Sequence, residues 1–198
     1  MADFIEGKRP VIEALRTGVP IKSILMADNV QRDGLIEDIL RKAKRAGATV
    51  EMVPRKVLDG KSDRGSHQGV MAKAASFPYV GIGDVIDAAG KSAEQHDGRA
   101  LVIILDHITD AGNLGAVSRS AEAVGACGIV IPNKRSAHVE ASTYKSSAGA
   151  IAHVPVAQVS NLVQTMSRLK EEGFWIAGAT EHASDLIWKA NLKGKIAL

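Results

Sequence analysis

The sequence predicts an α/β chain in two units: a small mixed unit, then a doubly wound parallel sheet. Three observations carry this. Short apolar runs alternate with stretches whose apolar residues recur at helical spacing. In the second half the runs at 101–105 and 128–131 are continuous, as in strands buried on both faces. The links between elements are short, which suits strand–helix–strand units.

In the first unit, residues 8–16 read as an amphipathic helix with Val11, Ala14 and Leu15 on one face. Residues 21–26 read as a strand. Leu35, Ile36, Ile39, Leu40 and Ala43 mark a helix that Gly47 stops. Residues 49–53 are β-rich, and Pro54 opens a short helix through Leu58, since proline suits a first helical turn. Residues 70–75 supply a last strand. A unit of roughly 75 residues is near the lower limit for folding alone.

Residues 77–99 read as a linker, with four glycines, an acidic bias and one or two helical turns over 84–89. The Gly81 and Gly83 pair lacks the third glycine of a phosphate loop and reads as a hinge. The second unit then places strands at 101–105, 128–131, 154–157 and 174–177, with helices at 113–124, 139–147 and from Leu162 to Gly173. Residues 195–198 resemble the opening of another buried strand, so the sequence is expected to be shorter than its folding unit. The expected division is therefore 1–76, a linker at 77–99, and 100–198.

With 45% hydrophobic residues the chain is too apolar for disorder, and no run is long enough to cross a bilayer. Residues 1–10 are charged and lack a signal core, so cytoplasmic residence is expected. A single cysteine, Cys127, excludes an intrachain disulfide or a Cys-cluster zinc site, and the histidines lack ligand-like spacing, so no metal is expected. Residues 1–78 carry 14 Lys/Arg against 10 Asp/Glu, whereas 100–198 carry 9 against 8. The excess base in the first third is compatible with nucleic-acid contact.

The most informative stretch, Leu105-Asp-His-Ile-Thr-Asp-Ala-Gly-Asn-Leu-Gly-Ala-Val-Ser-Arg-Ser-Ala121, follows a strand and opens a helix. Asp110 or Asn113 can cap that helix, and Gly112 and Gly115 permit close approach of backbone to a ligand. Arg119 is placed to meet a phosphate or an alkoxide; the plainer alternative is a capped helix with a surface arginine.

This stretch resembles motif one of the SpoU (TrmH) family of RNA ribose 2′-O-methyltransferases, in Asp106, Asp110, Asn113, Gly115, Arg119 and Ala121, with Ala111 where that family usually has proline. The likeness extends to residues 7–15, to the His67-Gln68-Gly69 signature after Arg64, to residues 144–155 and to residues 175–180, and is nearest to the subgroup acting on 23S ribosomal RNA guanosine. The resemblance implies an RNA-binding unit similar to ribosomal protein L30, then a SPOUT domain with a trefoil knot. It implies a homodimer with S-adenosylmethionine as donor. The family's later Gly-x-Glu and Ser-Leu-Asn motifs, which complete the cofactor pocket and knot, do not occur within these residues.

On that resemblance Asn113 and Arg119 are the expected catalytic residues, Arg119 either stabilising developing charge or clamping a phosphate, with Asn113 orienting it. Gly178, Ala179 and Thr180 are expected at the cofactor, and Lys8, Arg9, Arg64, His67 and Gln68 at RNA. His67 has an alternative as a buried hydrogen-bonding residue. Rival readings are a non-catalytic RNA-binding module, a tRNA 2′-O-methyltransferase, and a nicotinamide oxidoreductase, which ranks last for want of a Gly-x-Gly-x-x-Gly loop.

Overall fold

The computed structural model describes residues 4–62, 65, 67–183 and 185–198. The first unit runs β1 (Phe4–Glu6), α1 (Lys8–Arg16), β2 (Ile21–Ala27), α2 (Gly34–Ala46), β3 (Thr49–Val53), α3 (Arg55–Asp59) and β4 (Val70–Ala74). Its sheet has the order β1-β4-β2-β3, with β2 and β3 parallel and β4 antiparallel to both neighbours. Helices α1 and α2 bury Val11, Ala14, Ile36 and Ile39 against Ile24 and Val70. Leu58 of α3 covers part of the other face beside Leu25 and Met71. Helix α2 starts where the Asp33 carboxylate accepts from Ile36 N–H at 3.0 Å, and it ends at Gly47, whose φ of +67° favours glycine. Strand β1 has no counterpart in the sequence reading, because three residues pairing along β4 leave too short a pattern to detect.

The second unit runs α4 (Ile82–Gln95), β5 (Ala100–Ile104), α5 (Ala111–Ala123), β6 (Gly128–Pro132), α6 (Ala141–Ser146), β7 (Val156–Val159), α7 (Leu162–Glu171), β8 (Trp175–Ile176) and β9 (Lys195–Ala197). Its strands pair in parallel in the order β7-β6-β5-β9-β8. Helices cover both faces, as expected for a doubly wound sheet: α5 and α6 pack over Ile129, Ile131 and Val156, and α4 and α7 over Val102, Val130 and Ala157.

Helix α4 corrects the reading of 77–99. It is 14 residues long despite Gly83 and Gly90. Val85 and Ala89, one turn apart, are fully buried against the sheet, and that burial outweighs the weak helix propensity of the glycines. Gly81 is its N-cap, with Gly81 N–H donating to Asp84 Oδ2 at 2.8 Å, so the glycine pair starts a helix rather than forming a hinge.

The two sheets share one apolar cluster that runs from Val11 and Ile24 to Ile129 and Ile151. At the seam the Phe77 ring meets Tyr79 and Tyr144 edge-on, at 5.0 and 6.5 Å between centroids. Tyr79 Oη accepts from Val139 N–H at 2.8 Å. Burial pushes the phenol of Tyr144 up to about 12 and that of Tyr79 upward as well. No helix among the described residues is long and apolar enough to cross a membrane.

Candidate active site

The chain leaves β5 toward β6 and β7 on one side, and β9 returns to pair with β5 on the other. In such sheets the crevice for a ligand opens beyond the carboxyl ends of the strands at that reversal. A cleft of about 1130 Å³ lies there. It is lined after β5 by Leu105 to Ile108, after β6 by Lys134 and Arg135, after β7 by Ser160 and Asn161, after β8 by Ala177 to Ala179, and by Leu198 after β9. Helix α5 adds Val117, Ser120 and Ala121, and α7 adds Leu162, Val163 and Met166. The walls are mainly apolar. The charged side chains among them are Asp106, Lys134 and Arg135.

The turn from β5 into α5 follows from its residues. Asp110 caps the helix by accepting from Asn113 N–H at 2.7 Å, a contact worth roughly 1 kcal/mol. Ala111 occupies the first helical position, where a proline would forfeit nothing, so alanine keeps the turn intact. Gly115 corrects an expectation: a Cβ there would lie 1.9 Å from Ser146 Oγ and 2.6 Å from the Thr143 carbonyl. Its role is close packing of α5 on α6, not approach to a ligand. His107 takes the left-handed backbone, φ +57°, and its Nδ1 hydrogen-bonds the Asp106 carboxylate.

Arg119 and Asn113 do not line the cleft. Arg119 lies 200° around α5 from cleft-lining Val117, so it projects on an exposed flank, with no ion-pair partner among the described residues. Asn113 shares the angular stripe of Val117 and Ser120, and its side chain is exposed. Six residues carry the helix 240° beyond a full turn, so Asn113 and Arg119 face different ways and share no hydrogen bond; the expected orienting contact is absent. Gly178 and Ala179 do line the cleft, whereas Thr180 sits just beyond, its Oγ1 accepting from His182 N–H at 3.3 Å.

The residues expected at RNA separate into engaged and free. His67 is 2% exposed. Its Nδ1 accepts from Gly69 N–H at 3.0 Å, so Nε2 carries the proton and donates to Asp59 at 2.9 Å. This places it among the buried hydrogen-bonding residues and corrects the RNA-contact expectation. Gln68 Oε1 accepts from Lys8 N–H at 3.3 Å, pinning the start of α1. The Lys8 ammonium is committed to Asp33 at 2.8 Å, which corrects its expected phosphate role and holds the Asp33 carboxyl below the usual range. Arg9 is exposed and shares a groove of about 410 Å³ with Glu13, Ser142 and Lys145. Arg64 lies outside the described residues.

Sequence reasoning missed His107, Lys134, Arg135 and Lys145. The signal for Lys134 and Arg135 was a basic pair straight after an apolar run, at the carboxyl end of a parallel strand. Among the described residues no group of three or more His, Cys, Asp or Glu could hold a metal.

The SpoU rRNA Methylase family profile matches residues 100–198, and the profile for RNA 2′-O ribose methyltransferase substrate binding matches 4–80. A Bacillus subtilis protein named for the TrmH family of tRNA/rRNA methyltransferases is 39% identical over 183 residues, 92% of this chain and 71% of the relative. A Staphylococcus aureus protein of the same family name is 38% identical over 174 residues, 88% of this chain and 68% of its own. In fold, the chain is similar to the SpoU methyltransferase AviRb of Streptomyces viridochromogenes, solved with AdoMet. The TM-score is 0.63 at 19% identity, covering 99% of this chain and 72% of AviRb. It is also similar to an rRNA methyltransferase of Sinorhizobium meliloti, with TM-score 0.55, 22% identity, and 98% and 69% coverage.

Proposed function

This chain belongs to the SpoU rRNA methylase family, and from that premise we propose that it transfers a methyl group from S-adenosylmethionine to a ribose 2′-hydroxyl of ribosomal RNA, a guanosine of 23S RNA. The observation that carries the reading is the cleft at the strand reversal, walled by the very turn that bears the family motif.

The cleft suits the donor. Its volume of about 1130 Å³ lies just above the roughly 300–1,000 Å³ usual for small-molecule sites, its walls are apolar enough for an adenine, and exposed backbone at Gly178 and Ala179 offers polar contacts. When bound, S-adenosylmethionine supplies an electrophilic methyl on sulfur. Leu105, Leu162, Met166 and Leu198 would hold its apolar parts, with Gly178 and Ala179 along its edge. Arg119 keeps its proton at ordinary pH and is a poor base. On the exposed flank of α5 its guanidinium suits a bidentate clamp on a phosphate beside the target ribose. Asn113, whose N–H is bound by Asp110, firms the turn.

RNA is taken by the first unit through Arg9 and Arg64, with Lys145 of the second unit across the groove between α1 and α6. Two copies pair as a homodimer in the cytoplasm. Incubation with methyl-labelled donor and either 23S RNA or tRNA, followed by nuclease mapping, tests the reading. Label on a guanosine 2′-oxygen of 23S RNA is expected. Label on a base, or no transfer to either RNA, would overturn it.

A further inference from the structure

A nucleotide inside an RNA chain brings a phosphate on each side of its ribose, and Arg119 can answer to only one of them. We propose that Lys134 and Arg135, on the cleft after β6, bind the other; the inference rests on the methyl-transfer reading above.

The loop that carries the pair is short and gripped at both ends. Asn133 N–H donates to the Val159 carbonyl at 2.9 Å, and Ala137 N–H donates to the Ile108 carbonyl at 2.7 Å. Ser136 Oγ donates to that same Ile108 carbonyl at 3.4 Å. The loop is thus tied to the end of β7 on one side and to the turn after β5 on the other. Ala137 is buried, whereas Lys134 and Arg135 are exposed. Arg135 takes the left-handed backbone, φ +55°, a region that residues with side chains enter at an energetic cost. Such a conformation persists where the surroundings fix it, as the two anchors do here.

Both side chains line the cleft, and neither has an ion-pair or hydrogen-bond partner among the described residues. Lys8 shows the contrast, with its ammonium held by Asp33. Among the described residues the only acidic side chain on the cleft is Asp106, which is bonded to His107. The pair therefore presents two cations that nothing in the fold neutralises, at a surface a large substrate can reach.

Two anions can meet such a pair: the carboxylate of the donor and a phosphate of the RNA. The donor sets an ammonium and a sulfonium against its one carboxylate, so it is a cation overall and gains little beside two more. A phosphate brings negative charge with no such offset. The planar guanidinium of Arg135 matches two of its oxygens at once, and Lys134 adds a point charge. Charge thus favours the RNA as occupant.

Equilibrium binding of an oligonucleotide of 23S RNA that spans the labelled guanosine tests this. Each linkage flanking that guanosine is made, in turn, a neutral methylphosphonate. For the wild type, one of the two neutral linkages should weaken binding about 10-fold, the scale of a charged hydrogen-bonded contact. Arg135→Asn, which tolerates the left-handed backbone, and Lys134→Gln should each weaken binding of the unmodified RNA and lower its salt slope by about 1. In the double variant the same neutral linkage should cost little more. Donor affinity without RNA, read by calorimetry, should stay as in the wild type. If the neutral linkages weaken the double variant as much as the wild type, the pair does not hold that phosphate and the inference is overturned. A loss of donor affinity would give the pair to the donor carboxylate and overturn it as well. Both results leave methyl transfer standing. If the wild-type protein transfers no methyl to RNA, the reading and this inference fall together.

Discussion

His67, in the turn before β4, and His107, in the turn after β5, occupy turns of similar build. Each ring bonds a carboxylate, Asp59 or Asp106, and each turn has a non-glycine residue with positive φ, Gln68 at +53° and His107 at +57°. Their surroundings set them apart. The first ring is enclosed and both its nitrogens are spent, so it ties the end of α3 to the turn before β4 and has nothing left for a ligand. The second stands at a cleft with one nitrogen spent and one open. Residue type and neighbouring carboxylate are therefore poor guides to chemistry; the free lone pair at an open surface is what separates the two.

The same division orders the remaining predictions. Arg119 is on the free side, so Arg119→Ala should lower methyl transfer by about 100-fold with an unchanged thermal melt, as when a clamp that positions the substrate is lost. A matching loss of stability would move Arg119 to the structural side. Next, His67→Ala should cost about 2–3 kcal/mol in urea unfolding, because it leaves a cavity and strands the Gly69 N–H. His107→Asn should shift stability by less than about 0.5 kcal/mol. Equal costs for the pair would erase the contrast.

The tyrosine seam gives a third locked site. In the unfolded chain both phenols ionise near pH 10, roughly the ordinary tyrosine value. In the folded protein burial delays them, Tyr144 to about 12. Between those values the folded state holds more protons, so stability falls as pH rises and levels off above about 12. Absorbance at alkaline pH should show late phenolate formation that coincides with melting; titration of both tyrosines at the ordinary value in a folded protein would count against the buried seam. The smallest effect concerns RNA. Arg9→Ala should reduce the salt slope of RNA binding by about 1, and Lys8→Ala should leave it unchanged, since Asp33 already holds that ammonium.

Much of this architecture could be read in order from local pattern. Residues 8–16 and 49–53 fold over those same bounds, and Gly47 and Gly173 close α2 and α7 with positive φ. The stretch 105–121 marks the rim of the sheet by its residue pattern, a strand end followed by a capped helix. Local pattern failed where burial decides against propensity. Two glycines hid α4, whose Val85 and Ala89 find their partners on strands that follow it in the chain. Gly115 looked like a ligand contact because nothing nearby in sequence announces Ser146. His107 was passed over because one histidine among six has no distinguishing neighbour until the cleft is seen around it.

By itself, then, the sequence determined the alternation of strands and helices, the motif turn and the family, since each rests on contacts within a few residues or on the order of residues along the chain. Only the tertiary structure decided which polar side chains are free. Whether His67, Lys8 or Arg119 has a partner depends on residues brought close from other elements, and whether His107 keeps an open nitrogen depends on whether water still reaches it.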